Sequence, residues 1–125
     1  MKEDKQLLLK DLCARLPYGV ECQFEDNVRL IDGESSPFYD YTLSAHHLEI
    51  FMRHNNFHIK PYLRPMSSMT EEEQLELSVV PIYARMLDNA SAQIDWLNAH
   101  HFDYRGLIKK GLAIEVTENN NPYKN

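Results

Sequence analysis

The pattern of apolar and polar positions changes period several times along the chain. From Glu3 to Leu16, Leu8, Leu9, Leu12, Cys13 and Leu16 recur at helical spacing, with Lys5, Asp11 and Arg15 placed mostly off that stripe. Pro17 and Gly19 predict its end. Val20 to Glu25 then alternates strictly: Val20, Cys22 and Phe24 point one way and Glu21, Gln23 and Glu25 the other, as in a half-buried strand. Asp26-Asn27 suits a tight turn, because both residues tolerate positive φ. A second strand is expected over Val28 to Ile31, closed by Asp32-Gly33, and a third over Phe38 to Thr42.

Further on, Ser44 suits the cap of a short helix reaching about Asn55, with Leu48, Phe51 and Met52 as its buried side, although the run from Leu48 to Met52 also suits a strand. Phe57 to Ile59 reads as a short strand, and Pro61 and Pro65 hold the following stretch extended. Thr70-Glu71-Glu72-Glu73 has the form of a capping box: a threonine hydroxyl accepts from an amide three residues on, and the glutamate there reaches back. Its three carboxylates also suit the positive end of the helix dipole. That helix is expected to stop or kink before Pro81, which has no N–H. Ile82, Met86, Ala90, Ile94 and Leu97, widened by Tyr83 and Leu87, form the stripe of a next helix, opened by Pro81 or restarted at Asp88 or Asn89. Asp103 suits the N-cap of a short helix from Tyr104 to Lys110, with Gly111 as its left-handed stop. Leu112 to Val116 reads as a last short strand, and Thr117 to Asn125 as a tail with only Tyr123 to bury.

These elements predict an α+β fold: an N-terminal helix on a small antiparallel β-meander, followed by a mainly helical C-terminal half. Residues 1–116 form the expected single domain and 117–125 a flexible tail. Length agrees, since 125 residues seldom divide into two cores. No run approaches the roughly 18 apolar residues of a membrane span, and the mixed charges of Met1 to Lys5 do not resemble a signal peptide. A soluble cytoplasmic protein without membrane attachment is expected. Cys13 and Cys22, both on apolar faces, read as reduced, buried thiols.

Charge narrows the choice of partners. With 13 basic and 19 acidic side chains the net charge is −6, which argues against a general polyanion binder, although a local basic patch remains open. Lys60, Arg64, Arg105, Lys109 and Lys110 are the residues of such a candidate patch, and the segment around His100 to Lys110 loosely resembles a helix-turn-helix. Docking of Leu107 and Ile108 on the core is the simpler account of that segment. His46-His47, His54, His58 and His100-His101 invite a metal reading, with His100, His101 and Asp103 as the set for a metal-assisted hydrolase. Adjacent histidines on a helix diverge, however, and Asp103 already has a capping role. No catalytic residue, metal site or cofactor site is assigned: there is no nucleophile elbow and no phosphate-cradling glycine loop. Trp96, Phe102 and Tyr104 read as a packing corner.

Three phrases, Lys10 to Val20 (KDLCARLPYGV), Ile59 to Glu73 (IKPYLRPMSSMTEEE) and Ile94 to Ile108 (IDWLNAHHFDYRGLI), cover about a third of the chain. In them the sequence resembles a family of short proteins encoded by gut anaerobes and by their phages and prophages. That family carries no known activity, so the resemblance transfers no functional residue. It implies an accessory protein of a mobile element, acting in the bacterial cytoplasm. With no chemical constellation in view, the leading expectation is a non-enzymatic interaction protein that binds a protein partner or a second copy of itself, with nucleic-acid binding through the five basic residues as the alternative.

Overall fold

The computed structural model describes residues 2–27, 37–83 and 89–123. It is α+β, with four helices and a mixed five-stranded sheet among the described residues. Helix α1 (Lys2–Arg15) carries Leu8 and Leu12 into the core and ends in a 3-10 turn, Leu16–Tyr18, closed by Gly19 at φ 69°. A left-handed residue suits glycine, which has no Cβ to clash. Cys13 is exposed and Cys22 buried, so the expected pair of buried thiols is corrected for Cys13.

Strand β1 (Glu21–Asp26) alternates as its sequence does, burying Cys22, Phe24 and Asp26. It lies between β2 (Phe38–Thr42) and β3 (Phe57–Pro65), antiparallel to both. The expected second strand, Val28 to Ile31, and its closing Asp32-Gly33 lie outside the described residues. Because β1 separates β2 from β3, the order among the described strands is not that of a consecutive meander.

The ladder has a fixed parity. Leu43 N donates to the Val20 carbonyl and Asp26 N to the Pro37 carbonyl, so even residues of β1 bond towards β2. Asn27 N donates to the Asn56 carbonyl, and odd residues accordingly bond towards β3, where Glu25 faces His58 and Gln23 faces Lys60. On β3, therefore, His58 and Lys60 turn their backbone groups to β1, while Phe57, Ile59 and Pro61 turn theirs away. Pro61 fits a long strand for this reason: its missing N–H lies on the side where β1 needs nothing.

Beyond Pro61, β3 changes partners. On the side that β1 occupied, Arg64 N donates to the His101 carbonyl and β4 (Phe102–Asp103) runs parallel to it. On the other side β5 (Ile114–Glu115) is parallel, with Val116 N donating to the Leu63 carbonyl. In the seam between β1 and β4, the Tyr123 hydroxyl accepts from Glu21 N at 3.0 Å and donates to the Tyr62 carbonyl at 2.6 Å. These are the two backbone groups that parity would otherwise pair directly. The Tyr123 ring stacks on His101 at 3.7 Å, so the segment expected as a tail is fastened to the sheet at this residue.

Helix α2 (Ala45–Arg53) is capped by Ser44 as expected, with a reciprocal bond from Ser44 N to His47 Nδ1 at 3.0 Å. Leu48 and Phe51 are buried, but Met52 is 57% exposed, one position too far round the helix to reach the core. After a 3-10 turn at Met66–Ser68, α3 (Glu71–Tyr83) opens with the expected box: Thr70 N donates to Glu73 Oε1 and Glu73 N to Thr70 Oγ1. It continues through Pro81, correcting the expected stop there, since a proline removes one donor from a helix otherwise held by its neighbours. Helix α4 (Asn89–Ala99) begins at Asn89; Leu97 is buried but Ile94 is 41% exposed, while Met86 and Leu87 lie outside the described residues.

The helix expected over Tyr104 to Lys110 is absent, and turns replace it. Asp103 still captures amides, accepting from Leu107 N and Ile108 N at 2.9 Å each, but Gly106 at φ 76° breaks helical continuation. Gly111 is left-handed as expected, with φ 76°. Among the described residues, no helix is long and apolar enough to cross a membrane.

Glu73 also receives both arms of Arg64, Nη1 and Nη2 donating to its two oxygens at 2.7 Å each. This fork, before all else, lowers the Glu73 carboxyl from 4.5 to about 2. A carboxylate depressed in the folded state adds stability that is fully present above its unfolded value and is lost as pH falls through the folded one. Acid titration of the melting temperature should thus show a loss between about pH 4.5 and 2 that is reduced in Glu73→Gln. An unchanged profile would mean that the fork contributes nothing in solution.

Candidate functional site

Four consecutive residues of β3, Phe57, His58, Ile59 and Lys60, line one cavity of about 670 Å³. Side chains of a strand alternate between the two faces of its sheet. A cavity that touches four in a row reaches both faces of the sheet around the strand's edge, with His58 and Lys60 exposed to it and Phe57 and Ile59 each only 1% exposed. Parity identifies that edge as the one away from β1, where Phe57 and Ile59 direct their N–H and C=O groups. Among the described residues, no strand pairs with them there, because β5 begins only at Tyr62.

The floor and walls are apolar. Leu8 comes from α1, Phe51 from α2, and Leu112 from the approach to β5, joining Phe57 and Ile59. Each sits there for a core reason: Leu8 and Phe51 are the inward positions of their helices, and Leu112 is fixed by its amide donating to the Leu107 carbonyl. Charges occupy the rim. Lys5 Nζ lies 5.0 Å over the Phe51 ring, and Asp4 is its neighbour on α1. On the solvent face stand His58, Lys60 and Glu25, whose carboxylate accepts from Asn27 Nδ2 at 2.9 Å. A volume of this size is within the usual range of ligand clefts.

The histidines singled out in the sequence do not converge. His47 is buried, capping α2 and stacking on Phe24 at 4.1 Å, while His46 is exposed beside it. His54 and His58 are exposed. His100 stacks on Trp96 at 3.9 Å, its Nδ1 2.9 Å from the Trp96 carbonyl. His101 takes φ 64° and faces Tyr123 instead; burial, followed by the Arg15 charge, lowers it from 6.5 to about 4 and keeps the ring neutral. Asp103 spends both oxygens on amides. No group of three metal-ligating side chains occurs among the described residues. Burial pushes the Cys22 thiol well up, which leaves it inert as a nucleophile.

Of the five basic residues, Arg64 is held by Glu73 and stacked 4.0 Å over Phe102, and Arg105 donates to Asp11 Oδ1 at 3.0 Å. Their charge is largely spent inside the fold. Lys109 and Lys110 are exposed in the turn before Gly111, and Lys60 belongs to the groove. Trp96 and Phe102 stack at 5.9 Å, as a packing corner should.

The groove and a second feature escaped the sequence reading. Asp11 and Arg15, placed there off the apolar stripe, are both fully buried. Arg15 Nε donates to Asp11 Oδ2 and Nη2 to the Phe102 carbonyl, each at 2.7 Å, so the pair ties α1 to β4. Tyr104, whose ring the Arg15 guanidinium overlies at 5.3 Å, donates to Asn98 and extends the network to α4. The network sets two guanidiniums, Arg15 and Arg105, on the single carboxylate of Asp11, and Arg15 Nη1 is buried without a hydrogen-bond partner among the described residues. Comparison with protein-family models, curated proteins and solved structures finds no match.

Proposed function

We propose that this chain is a non-enzymatic interaction protein that engages another protein at the groove along the outer edge of β3. The observation that carries this reading is a cavity of about 670 Å³ with an apolar floor from Leu8, Phe51 and Leu112 and a charged rim of Asp4, Lys5 and Lys60, beside the stretch of β3 at which, among the described residues, no strand pairs on the side away from β1. Concave apolar surfaces with a charged rim are where partners of mixed chemistry dock. The spent charges of Arg64 and Arg105 count against a phosphate-binding face, and the dispersal of the histidines counts against metal-assisted hydrolysis. An accessory role for a mobile element in the bacterial cytoplasm, as the family resemblance implies, fits a binding protein of this size.

The test is position-specific. A photo-crosslinking amino acid at Lys60, in cells that carry the gene, should yield a discrete protein adduct, and the same group at the exposed Glu72 of α3 should not. Absence of an adduct at position 60, or the same adducts from both positions, would refute the reading.

A further inference from the structure

We infer that a second cavity, between β2 and α2, is a binding site for a quaternary ammonium group. It has a volume of about 430 Å³ and is lined by Tyr39 and Tyr41 of β2 and by His46, His47 and Ile50 of α2. The alternation of β2 sends Tyr39 and Tyr41 to one face of the sheet, and helical spacing brings His46, His47 and Ile50 to the side of α2 that meets them. Tyr41 meets the His47 ring at 73° with centroids 6.0 Å apart, and Tyr39 meets it at 47° and 6.5 Å. Parallel rings would close on one another; rings set at these angles wall a concavity. His47 forms its back, being only 8% exposed and stacked on Phe24, whereas Tyr41, at 63%, and the exposed His46 stand at its mouth.

Chemistry then selects the ligand. Among the described residues, the lining offers aromatic rings and no lysine, arginine or carboxylate side chain. Ser44 N donates to His47 Nδ1, and a ring nitrogen that accepts from an amide carries no proton, so the imidazole at the back is uncharged. Tyrosine ring faces attract a cation over a neutral group of the same shape. An anion finds no lysine or arginine here, and the chain's net charge of −6 repels it. A primary ammonium or a guanidinium would bring N–H groups that need acceptors once out of water, and a wall of rings supplies few. A quaternary ammonium has no N–H to satisfy, so ring faces alone suffice. Choline-like molecules and trimethylated lysine side chains share this head group.

Titration of the intact chain at about pH 8, above the ordinary imidazole range, with choline and with the uncharged alcohol that has carbon in place of its nitrogen separates charge from shape. Choline should bind saturably, its N-methyl proton signals moving upfield in the ring currents, and the uncharged alcohol should bind at least about fivefold more weakly. Tyr41→Leu should abolish binding and Tyr41→Phe should retain it; since the Tyr41 side chain is largely exposed, both should keep the wild-type melting temperature. N-acetyl-trimethyllysine amide, run beside choline, shows the source: tighter binding of one or the other assigns the site to a free small molecule or to a protein side chain. Equal affinity for the uncharged alcohol would reduce the cavity to an apolar hollow. Equal affinity for ethanolamine would remove the preference for a quaternary head group, and no saturable binding of either quaternary compound would remove the site. Each of these three results overturns the proposal.

Discussion

Asp11→Ala is expected to destabilise the fold by about 3–5 kcal/mol, as removal of one partner from a buried ion pair does. Arg15 is fully buried and would keep its charge, with only the Phe102 carbonyl left of its two partners. Arg105 also loses its acceptor, but with a fifth of its side chain exposed it can turn to water. The cost is therefore that of one stranded guanidinium, not of the lost attraction. A double variant, Asp11→Leu with Arg15→Met, removes both charges and should recover at least half of the loss, although the Phe102 carbonyl then lacks its donor. Urea unfolding followed by circular dichroism measures both. A single variant within about 1 kcal/mol of wild type would show that the pair is hydrated and not sealed in the core.

Tyr123→Ala should cost about 3–5 kcal/mol, the range for deleting a packed aromatic side chain. Two losses add here. The ring leaves His101, whose positive φ it helps to hold, and the hydroxyl leaves Glu21 N–H and the Tyr62 carbonyl facing each other across a gap. Tyr123→Phe separates them: keeping the ring but not the bridge, it should cost about 1–3 kcal/mol, the penalty for stranding buried backbone groups. Thermal unfolding of both variants gives the comparison. Near-neutral Tyr123→Phe would mean that β1 and β3 close their own ladder without the tyrosine.

The legible parts of this fold were those that a short window of sequence determines. The alternation in β1, the Ser44 cap and the Thr70–Glu73 box are local chemistry, and each occurs where its residues place it. Asp11 and Arg15 misled because a charged i, i+4 pair beside an apolar stripe looks solvated. What buries them, the Phe102 carbonyl and Arg105, lies 87 and 94 residues away. Tyr104 to Lys110 misled for a related reason: Asp103 was read as a cap on amides two or three residues on, but Gly106 lets the chain turn so that it reaches Leu107 and Ile108 instead. Tyr123 carried a hint, being the lone apolar residue in a polar segment, but its slot exists only where β3 passes from β1 to β4.

The groove was illegible in principle. Its position depends on where β5 begins, since among the described residues no strand pairs with Phe57 and Ile59 on that side, and not on any motif in Phe57 to Lys60. By sequence alone, Lys60 belongs to a basic patch with Arg64, Arg105, Lys109 and Lys110. Charge alone does not show that carboxylates hold the two arginines while Lys60 stands at the rim of a cavity.

Amide hydrogen exchange along β3 in the unliganded chain tests the central claim most directly. Inward-facing amides of His58 and Lys60, bonded to β1, should exchange slowly, and the Ile59 amide between them, buried but with no strand bonding it among the described residues, should exchange faster than either. An Ile59 amide as well protected as its two neighbours would mean that the cavity side of β3 is already bonded, which contradicts a groove left open beside it.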